Sequence, residues 1–281
     1  MSQGVVLIAR NNTEIDYIKQ AVFLAKRISK YLNLPTTLIT DNIEYLHKTY
    51  PKDIDVFDKV IEIDNDKKYS YKKYFDGIFS KKQLEFKNGN RSSVYDLTPY
   101  EETLLLDTDF VVSNNIFKNC FNQSKDFLIY DSAYDFAGWR DPNEFTYISE
   151  IGPKFYWATC VFFRKTEQNK IFFDLVSHIQ DHYAHYRNLY KLNTNVFRND
   201  HAFSIAIHIM NGFTDNNFAG KMPGTMYYCT DKDVLLDLRE DNFLFLVQKR
   251  NESNEYTPLR IKGSNVHVIN KYSLNRIIDN A

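Results

Sequence analysis

Short apolar runs alternate with amphipathic segments over the first part of the chain. Residues 5–9 and 37–40 are apolar or β-branched throughout, as expected for strands that are buried on both faces. Between these runs, apolar residues recur with the three- and four-residue spacing of one helical face over 15–32, and Thr13 or Asn12 is expected to cap that helix. Strand, helix and strand with short connections form the βαβ pattern of a parallel sheet.

Later segments continue the alternation of strands and helices. Strands are expected at 60–63, 104–112, 127–131, 155–163 and 266–268. Helices are expected over a short segment that ends at Leu97, over 171–190 and from 198 onwards. The pattern predicts a single α/β domain over residues 1–281, Rossmann-like, with a mostly parallel central sheet flanked by helices. Ligands of such sheets bind outside the carboxyl ends of the strands.

Two carboxylates interrupt the most apolar of these runs. Three leucines lead into Asp107-Thr108-Asp109, and Phe110, Val111 and Val112 follow. Carboxylates are rarely buried without a partner, and alternate residues of an extended chain point to the same side. Asp107 and Asp109 therefore suit a hard divalent cation that bridges to phosphate oxygens, although a strand that ends in a capping aspartate remains an alternative. Three other Asp-x-Asp pairs lack an apolar strand on both sides: Asp53/Asp55, Asp64/Asp66 and Asp231/Asp233.

Composition narrows the class of protein. The formal net charge of −1 argues against a generally basic nucleic-acid binder, and three widely spaced cysteines indicate no disulfide framework. A reducing cytoplasm is the expected setting, since the sequence shows no signal peptide and no apolar run near the ~20 residues of a membrane span. His178, His182 and His185 share one face of a predicted helix, which fits a polar helix face or a zinc site.

The apolar strand with its Asp-x-Asp pair resembles the metal site of GT-A fold glycosyltransferases. The resemblance implies Mn²⁺ or Mg²⁺ on Asp107 and Asp109, held against the diphosphate of a nucleotide-sugar, with a UDP-sugar favoured. Family-8-like members carry a late histidine that completes the metal site and then a lysine that contacts phosphate. His267 and Lys271 match that order, although the spacing is shorter and the Gly and Lys-Pro-Trp residues of the pattern are absent. A histidine between two valines is also typical of a hydrogen-bonded core residue.

The same resemblance divides the chain into a nucleotide-binding half, 1–112, and an acceptor-binding half, 113–281. Side chains at the ends of the first strands would lie near the nucleotide. A cationic side chain just before the strand that leads into Asp107 would also lie near it. The residues assigned in this way to the nucleotide-sugar are Arg10, Asn11, Asp41, Arg91, Asp107 and Lys271. Asp41 is equally suited to a turn or a helix cap.

The start of the helix near residue 198 supplies the catalytic candidates, Asp200 and Asn199. GT-A enzymes often place an acid or amide there, beside the anomeric carbon or the acceptor hydroxyl. In an inverting enzyme the carboxylate is the general base, and in a retaining enzyme it steadies the acceptor or the oxocarbenium charge. Either residue also suits the N-cap of the helix.

The sequence leaves more than one acceptor and more than one reaction class open. The basic, tyrosine-rich residues 67–74 are typical of a solvated face but also of a nucleic-acid contact. The abundance of Lys, Asn, Ile and Tyr is typical of AT-rich genomes, including phages. Because T-even-like phage enzymes glycosylate modified cytosine, a hydroxymethylated or hydroxylated cytosine in DNA is one possible acceptor hydroxyl. The alternatives are a nucleotidyltransferase acting on a sugar phosphate, whose glycine-rich loop is missing here, and a non-catalytic carbohydrate-binding protein.

Overall fold

The computed structural model describes residues 2–64, 70–87, 89, 91–138, 141–214, 217–249 and 255–280. The strands, in chain order, are β1 (Gln3–Ala9), β2 (Thr36–Thr40), β3 (Lys59–Glu62), β4 (Ser70–Asp76), β5 (Ser80–Phe86), β6 (Glu102–Leu106), β7 (Phe110–Val111), β8 (Phe127–Tyr130), β9 (Tyr134–Asp135), β10 (Trp157–Arg164), β11 (Gly220–Lys221), β12 (Tyr227–Cys229), β13 (Val234–Arg239), β14 (Asn242–Gln248), β15 (Tyr256–Lys262) and β16 (Val266–Val268). The α-helices are α1 (Tyr17–Leu32), α2 (Ile43–Thr49), α3 (Val94–Leu97), α4 (Glu167–Asp181), α5 (Tyr183–Leu189), α6 (Asn199–Met210) and α7 (Lys271–Asp279).

A seven-stranded sheet with the order β11-β8-β10-β6-β1-β2-β3 forms the centre of the molecule. Only β10 runs against its neighbours, and the other adjacent pairs are parallel. Strands β2 and β6 are buried at every residue, because helices cover the sheet and leave their apolar runs no contact with water. This arrangement confirms the predicted α/β fold with a mostly parallel central sheet.

The first helix begins later than the sequence pattern predicted. Its N-cap is Asp16, whose carboxylate accepts a hydrogen bond from the Lys19 backbone N–H at 2.9 Å. The predicted caps, Thr13 and Asn12, were wrong because Asn12 forms a local turn instead. Its side-chain oxygen accepts from the Ile15 backbone N–H at 2.8 Å, and such side-chain-to-backbone bonds compete with a helix.

Two further helix boundaries differ from the prediction. The helix expected over 171–190 is divided into α4 and α5 at His182, whose φ of −108° and ψ of 28° are not helical. Arg198 occupies the N-cap position of α6, without a capping hydrogen bond from its side chain, so the N-cap role considered for Asp200 and Asn199 was wrong. Both residues lie in the first turn of α6 instead.

A second, four-stranded sheet with the order β7-β16-β12-β9 connects the late part of the chain to β7, which directly follows Asp109. Strand β16 pairs antiparallel with β7, and this register sets His267 opposite Phe110. Since Asp109 directly precedes β7 and Lys271 begins α7 soon after β16, the pairing brings together residues about 160 positions apart in the sequence.

Strands β4 and β5 form an antiparallel hairpin, here called the hairpin arm (residues 70–86). Its buried Tyr74 and Leu84 pack with Ile15, and the Tyr74 hydroxyl lies 3.2 Å from that of Tyr17. The predicted basic segment therefore contributes residues 70–74 to a strand, and its residues 67–69 lie outside the described part of the chain. Within the described ranges, no helix combines the length and the apolar character that crossing a membrane requires.

Candidate functional site

A cavity of about 640 Å³ opens at the carboxyl ends of β1 and β6. Its volume lies within the range of about 300–1,000 Å³ that is typical of small-molecule sites. Eight of the predicted site residues line it: Arg10, Arg91, Asp107, Asp109, Asn199, Asp200, His267 and Lys271. The structure therefore brings most of the candidates from distant parts of the sequence to one place.

Asp107, Asp109 and His267 form a triad at the floor of this cavity. One potential ligand atom from each residue lies within 4.8 Å of the other two. Across the described ranges no other group of three histidine, cysteine or acidic side chains meets this spacing, so His178, His182 and His185 do not form one. Two carboxylates and one imidazole suit a divalent cation such as Mn²⁺ or Mg²⁺.

The hydrogen bonds around Asp109 and His267 fit a cation in the triad. His267 Nε2 lies 3.2 Å from Asp109 Oδ2, and Lys271 Nζ lies 2.6 Å from the same oxygen. Both contacts use Oδ2, so Oδ1 remains available to a further partner. His267 Nδ1 is buried and has no hydrogen-bond partner among the described residues, which is unusual for a buried polar atom.

The ion pair between Asp109 and Lys271 is buried, with side chains only 5% and 9% exposed. Burial by itself raises the pKa of Asp109, but the positive charge of Lys271 and the hydrogen bonds with His267 and Lys271 outweigh it and hold that pKa below its usual value. Burial lowers the pKa of Lys271, but the charge of Asp109 outweighs it and raises the net value. Both groups are therefore charged at neutral pH.

Asp107 is the more accessible carboxylate of the triad, with 31% of its side chain exposed. The Arg91 guanidinium forms an ion pair with Asp107 Oδ1 and donates a hydrogen bond to the Ala158 carbonyl oxygen. Burial lowers the pKa of Arg91 to about 10, and the charges of Asp200 and Asp109 oppose that shift. Arg91 thus remains a cation beside the triad at neutral pH.

Asp200 lies on the wall of the cavity formed by α6 and the start of β10. Its Oδ1 accepts a hydrogen bond from the Ala158 backbone N–H at 2.9 Å, and its Oδ2 accepts one from Arg198 at 2.9 Å. Burial raises the pKa of Asp200, but the Arg198 charge and the Ala158 hydrogen bond outweigh it and lower the net value. The side chain is therefore a carboxylate at neutral pH, and Asn199 lines the cavity beside it.

The remaining predicted residues lie around Arg10. Its Nε is 3.1 Å from Asp41 Oδ2, and both side chains are almost inaccessible to water. Lys87 Nζ approaches the same carboxylate oxygen at 3.3 Å. The Asn11 amide donates to Asp16 and accepts from the Ile18 backbone N–H, which ties the end of β1 to α1. Among the described residues, Asn11 and Asp41 are not part of the cavity lining.

Several lining residues were not identified as candidates from the sequence. They include Lys72 and Phe86 of the hairpin arm, Trp157 of β10, and Thr230 and Asp231 after β12. The one available signal was Asp76-Gly77, a dipeptide typical of tight hairpin turns, between two segments with alternating apolar residues. It indicates a hairpin but not the place where the hairpin lies.

Comparison with known proteins gives structural matches but no sequence matches. No protein-family model matches the chain, and no curated protein does. The glycosyltransferase GlyE of Streptococcus pneumoniae TIGR4 matches with a TM-score of 0.44 and 10% identity, over 79% of this chain and 45% of that chain. This chain thus spans about half the length of the GlyE chain.

Two further solved structures give similar values. An active-site mutant of LgtC matches with a TM-score of 0.47 and 11% identity, over 78% of this chain and 72% of that chain. Mouse xyloside xylosyltransferase 1, in its apo form, matches with a TM-score of 0.43 and 11% identity, over 75% and 83% of the two chains. We base the functional interpretation on the site itself.

The buried ion pair predicts the stability of variants at Asp109. In Asp109→Ala, the Lys271 ammonium stays buried without a counter-charge, so we expect the free energy of unfolding to fall by about 3–5 kcal/mol. The double variant Asp109→Ala/Lys271→Met should lose less free energy of unfolding than Asp109→Ala alone. Urea unfolding in the presence of EDTA measures both, and additive losses would contradict the prediction. Asp279→Ala, which breaks the exposed pair with Lys19, is the control and should cost no more than about 1 kcal/mol.

Because His201 of α6 is buried, we expect the free energy of unfolding to depend on pH. Its Nδ1 lies 3.1 Å from the Tyr183 hydroxyl, and burial together with the Arg198 charge lowers its pKa to about 4. An unfolded histidine titrates near pH 6.5, so the unfolded state binds the proton first and stability falls as pH drops from about 6.5 to about 4. This difference in pKa corresponds to a loss of ~3 kcal/mol in the free energy of unfolding.

Chemical unfolding at several pH values tests this expectation. His201→Gln should flatten the fall in stability between about pH 6.5 and 4, because the glutamine side chain does not titrate there. His47→Gln changes an exposed histidine of α2 and should leave the profile as in the wild type. Identical profiles for His201→Gln and the wild type would show that His201 is not held neutral by the fold.

Proposed function

We propose that this chain is a metal-dependent glycosyltransferase that moves a sugar from a nucleotide-sugar, with a UDP-sugar favoured, to an acceptor hydroxyl. The convergence of Asp107, Asp109 and His267 beside Lys271 in one cavity carries the proposal. These four residues are the ones that the GT-A resemblance assigns to the metal and the diphosphate. Their proximity in space is an observation independent of the short motif that suggested them.

The charges around the triad suit a diphosphate. Asp107 and Asp109 carry two negative charges, and their partners Arg91 and Lys271 carry two positive charges, so the four side chains sum to zero. Asp107, Asp109 and His267 would hold Mn²⁺ or Mg²⁺. When bound, the ion supplies positive charge that neutralises the departing diphosphate. A dicationic centre matches the charge of about −2 on the diphosphate of a nucleotide-sugar.

In the proposed reaction the bond between the anomeric carbon and the diphosphate oxygen breaks, and its electron pair leaves with the nucleoside diphosphate. The acceptor oxygen bonds to the anomeric carbon, and its proton passes to an oxygen of the departing diphosphate. Lys271 and Arg91 place fixed positive charge where the negative charge of the leaving group develops. The Arg10 guanidinium, held by Asp41, is assigned to binding of the nucleotide. Asn11 contributes indirectly, because its hydrogen bond with the Ile18 backbone holds the start of α1 in place.

Asp200 and Asn199 are proposed to face the reacting sugar. The lowered pKa of Asp200, with both oxygens accepting hydrogen bonds, makes it a weak proton acceptor. A general base is most effective when its pKa lies near the working pH. We therefore assign to Asp200 the stabilisation of positive charge on the sugar or the positioning of the acceptor. This assignment favours the role expected in a retaining enzyme.

The acceptor is proposed from the sequence alone. The basic residues of 67–74 and a composition typical of AT-rich genomes keep a hydroxyl on a modified cytosine in DNA among the proposed acceptors, equally with hydroxyls of sugars, lipids or proteins. Residues 70–74 lie in the hairpin arm near the cavity. Product analysis with a glycosylated and an unglycosylated DNA pool would test this acceptor separately from the donor.

Thermal melting with a panel of nucleotides tests the donor site. We expect UDP to raise the melting temperature in the presence of Mn²⁺ and to have no effect with EDTA, because a ligand of the native state stabilises it by linkage, about 2.7 kcal/mol at a hundredfold excess over Kd. Asp107→Asn should abolish the shift. Asp107 is a better target than Asp109, whose carboxylate also neutralises buried Lys271. If no nucleoside diphosphate shifts the melting of the folded wild type, the proposal is wrong.

Two controls accompany this measurement. Asp279→Asn removes a surface carboxylate that is not part of the cavity lining and should retain the full shift. The products then separate the reaction classes. Release of a nucleoside diphosphate from a nucleotide-sugar supports glycosyl transfer, whereas release of inorganic pyrophosphate from a nucleoside triphosphate with a sugar phosphate indicates the nucleotidyltransferase alternative.

A further inference from the structure

The hairpin arm carries a lysine to the wall of the cavity. Lys72 lies on β4, opposite Leu84 of β5, and its Nζ is 5.1 Å from the centre of the Phe86 ring and 5.7 Å from that of Tyr74. Aromatic faces at these distances attract an ammonium group and hold it in place. Lys72 and Phe86 both line the cavity that contains the triad.

Contacts at both sides of the arm fix this position. Tyr74 and Leu84 are buried against Ile15, just before α1. At the turn, Asp76 accepts two hydrogen bonds from Arg276 of α7, at 2.6 and 2.9 Å. The arm is thus attached to the segment before α1 and to α7, so Lys72 is positioned by packing and an ion pair.

Two other lysines that line the cavity are each paired with a carboxylate, and Lys72 differs from them. Lys271 is paired with Asp109, and Lys87 is paired with Asp41. Among the described residues no carboxylate forms an ion pair with Lys72, whose contacts are the two rings. Burial of a cation without a counter-ion costs free energy that a bound anion recovers. Consistent with this, burial and the charge of Lys271 lower the pKa of Lys72 to about 8.

We propose that Lys72 binds a phosphate group of the nucleotide-sugar from the hairpin arm, as a second lysine in addition to Lys271. This assignment rests on the proposed function for the identity of the ligand, but the anion site itself follows from the unpaired cation. The leaving nucleoside diphosphate carries one more negative charge than the diphosphate of the donor. A cation at this place therefore interacts more strongly with the leaving group than with the bound substrate, as catalysis requires.

Titration calorimetry with inorganic pyrophosphate and Mn²⁺ tests the anion site without a nucleotide. We expect Lys72→Met to raise the Kd for pyrophosphate by about tenfold or more, the usual loss for a charge-assisted hydrogen bond. Lys81→Met is the matched control. Lys81 lies on β5 of the same arm, its Nζ is 5.7 Å from the Phe75 ring, and it is absent from the cavity lining. It should change the Kd less than about twofold.

A melting curve without ligand shows whether the lost affinity reflects lost folding. Lys72→Met removes an unpaired charge from a partly buried position, so its melting temperature should equal or exceed that of the wild type. Equal Kd values for Lys72→Met and Lys81→Met, or no binding of pyrophosphate to the wild type, would overturn the assignment.

The same titrations repeated with nucleoside diphosphates keep the two proposals apart. If UDP binds the wild type and the two lysine variants equally well, the role of Lys72 is wrong and the donor site stands. If pyrophosphate binding depends on Lys72 but no nucleoside diphosphate binds more tightly than pyrophosphate, the anion site stands and the proposed donor is wrong.

Discussion

The rest of the site depends on the buried ion pair between Asp109 and Lys271. Two opposite charges enclosed at 2.6 Å stabilise each other only while both are present, so the segment after β6 and the start of α7 must stay together. The pairing of β16 with β7 satisfies this constraint through the backbone and adds His267 to the same carboxylate oxygen. The side chains of the triad are therefore positioned by the interaction that also joins the start of α7 to the segment after β6.

A second connection joins Arg91, beside the triad, to the wall of the cavity that carries Asp200. It passes through one residue, Ala158, whose carbonyl oxygen accepts from Arg91 and whose N–H donates to Asp200. Because β10 runs antiparallel in the sheet, its first residues lie at the carboxyl end of β6, where these contacts become possible. The cation beside Asp107 and the carboxylate of α6 are thus both held by the backbone of one residue of β10.

Local patterns in the sequence predicted the elements that repeat regularly, and they were less successful where side chains interact with the backbone. The apolar runs of β1, β2, β6 and β10 were visible because a strand buried on both faces excludes polar residues. The start of α1 was misplaced because Asn12 hydrogen-bonds to the backbone of its own turn. The hairpin arm was missed as part of the site, since its packing against Ile15 has no local signature.

The sequence by itself determined the parallel α/β core and the presence of an acidic pair between apolar segments, since hydrophobic periodicity and the cost of a buried charge are properties of local residues. Only the tertiary structure decided which of the distant residues meet. It joined His267 and Lys271 to Asp109, placed Lys72 in the same cavity, and left Asn11 and Asp41 behind its wall. Such contacts depend on strand register and helix packing between segments far apart in the chain, and no local pattern of residues specifies them.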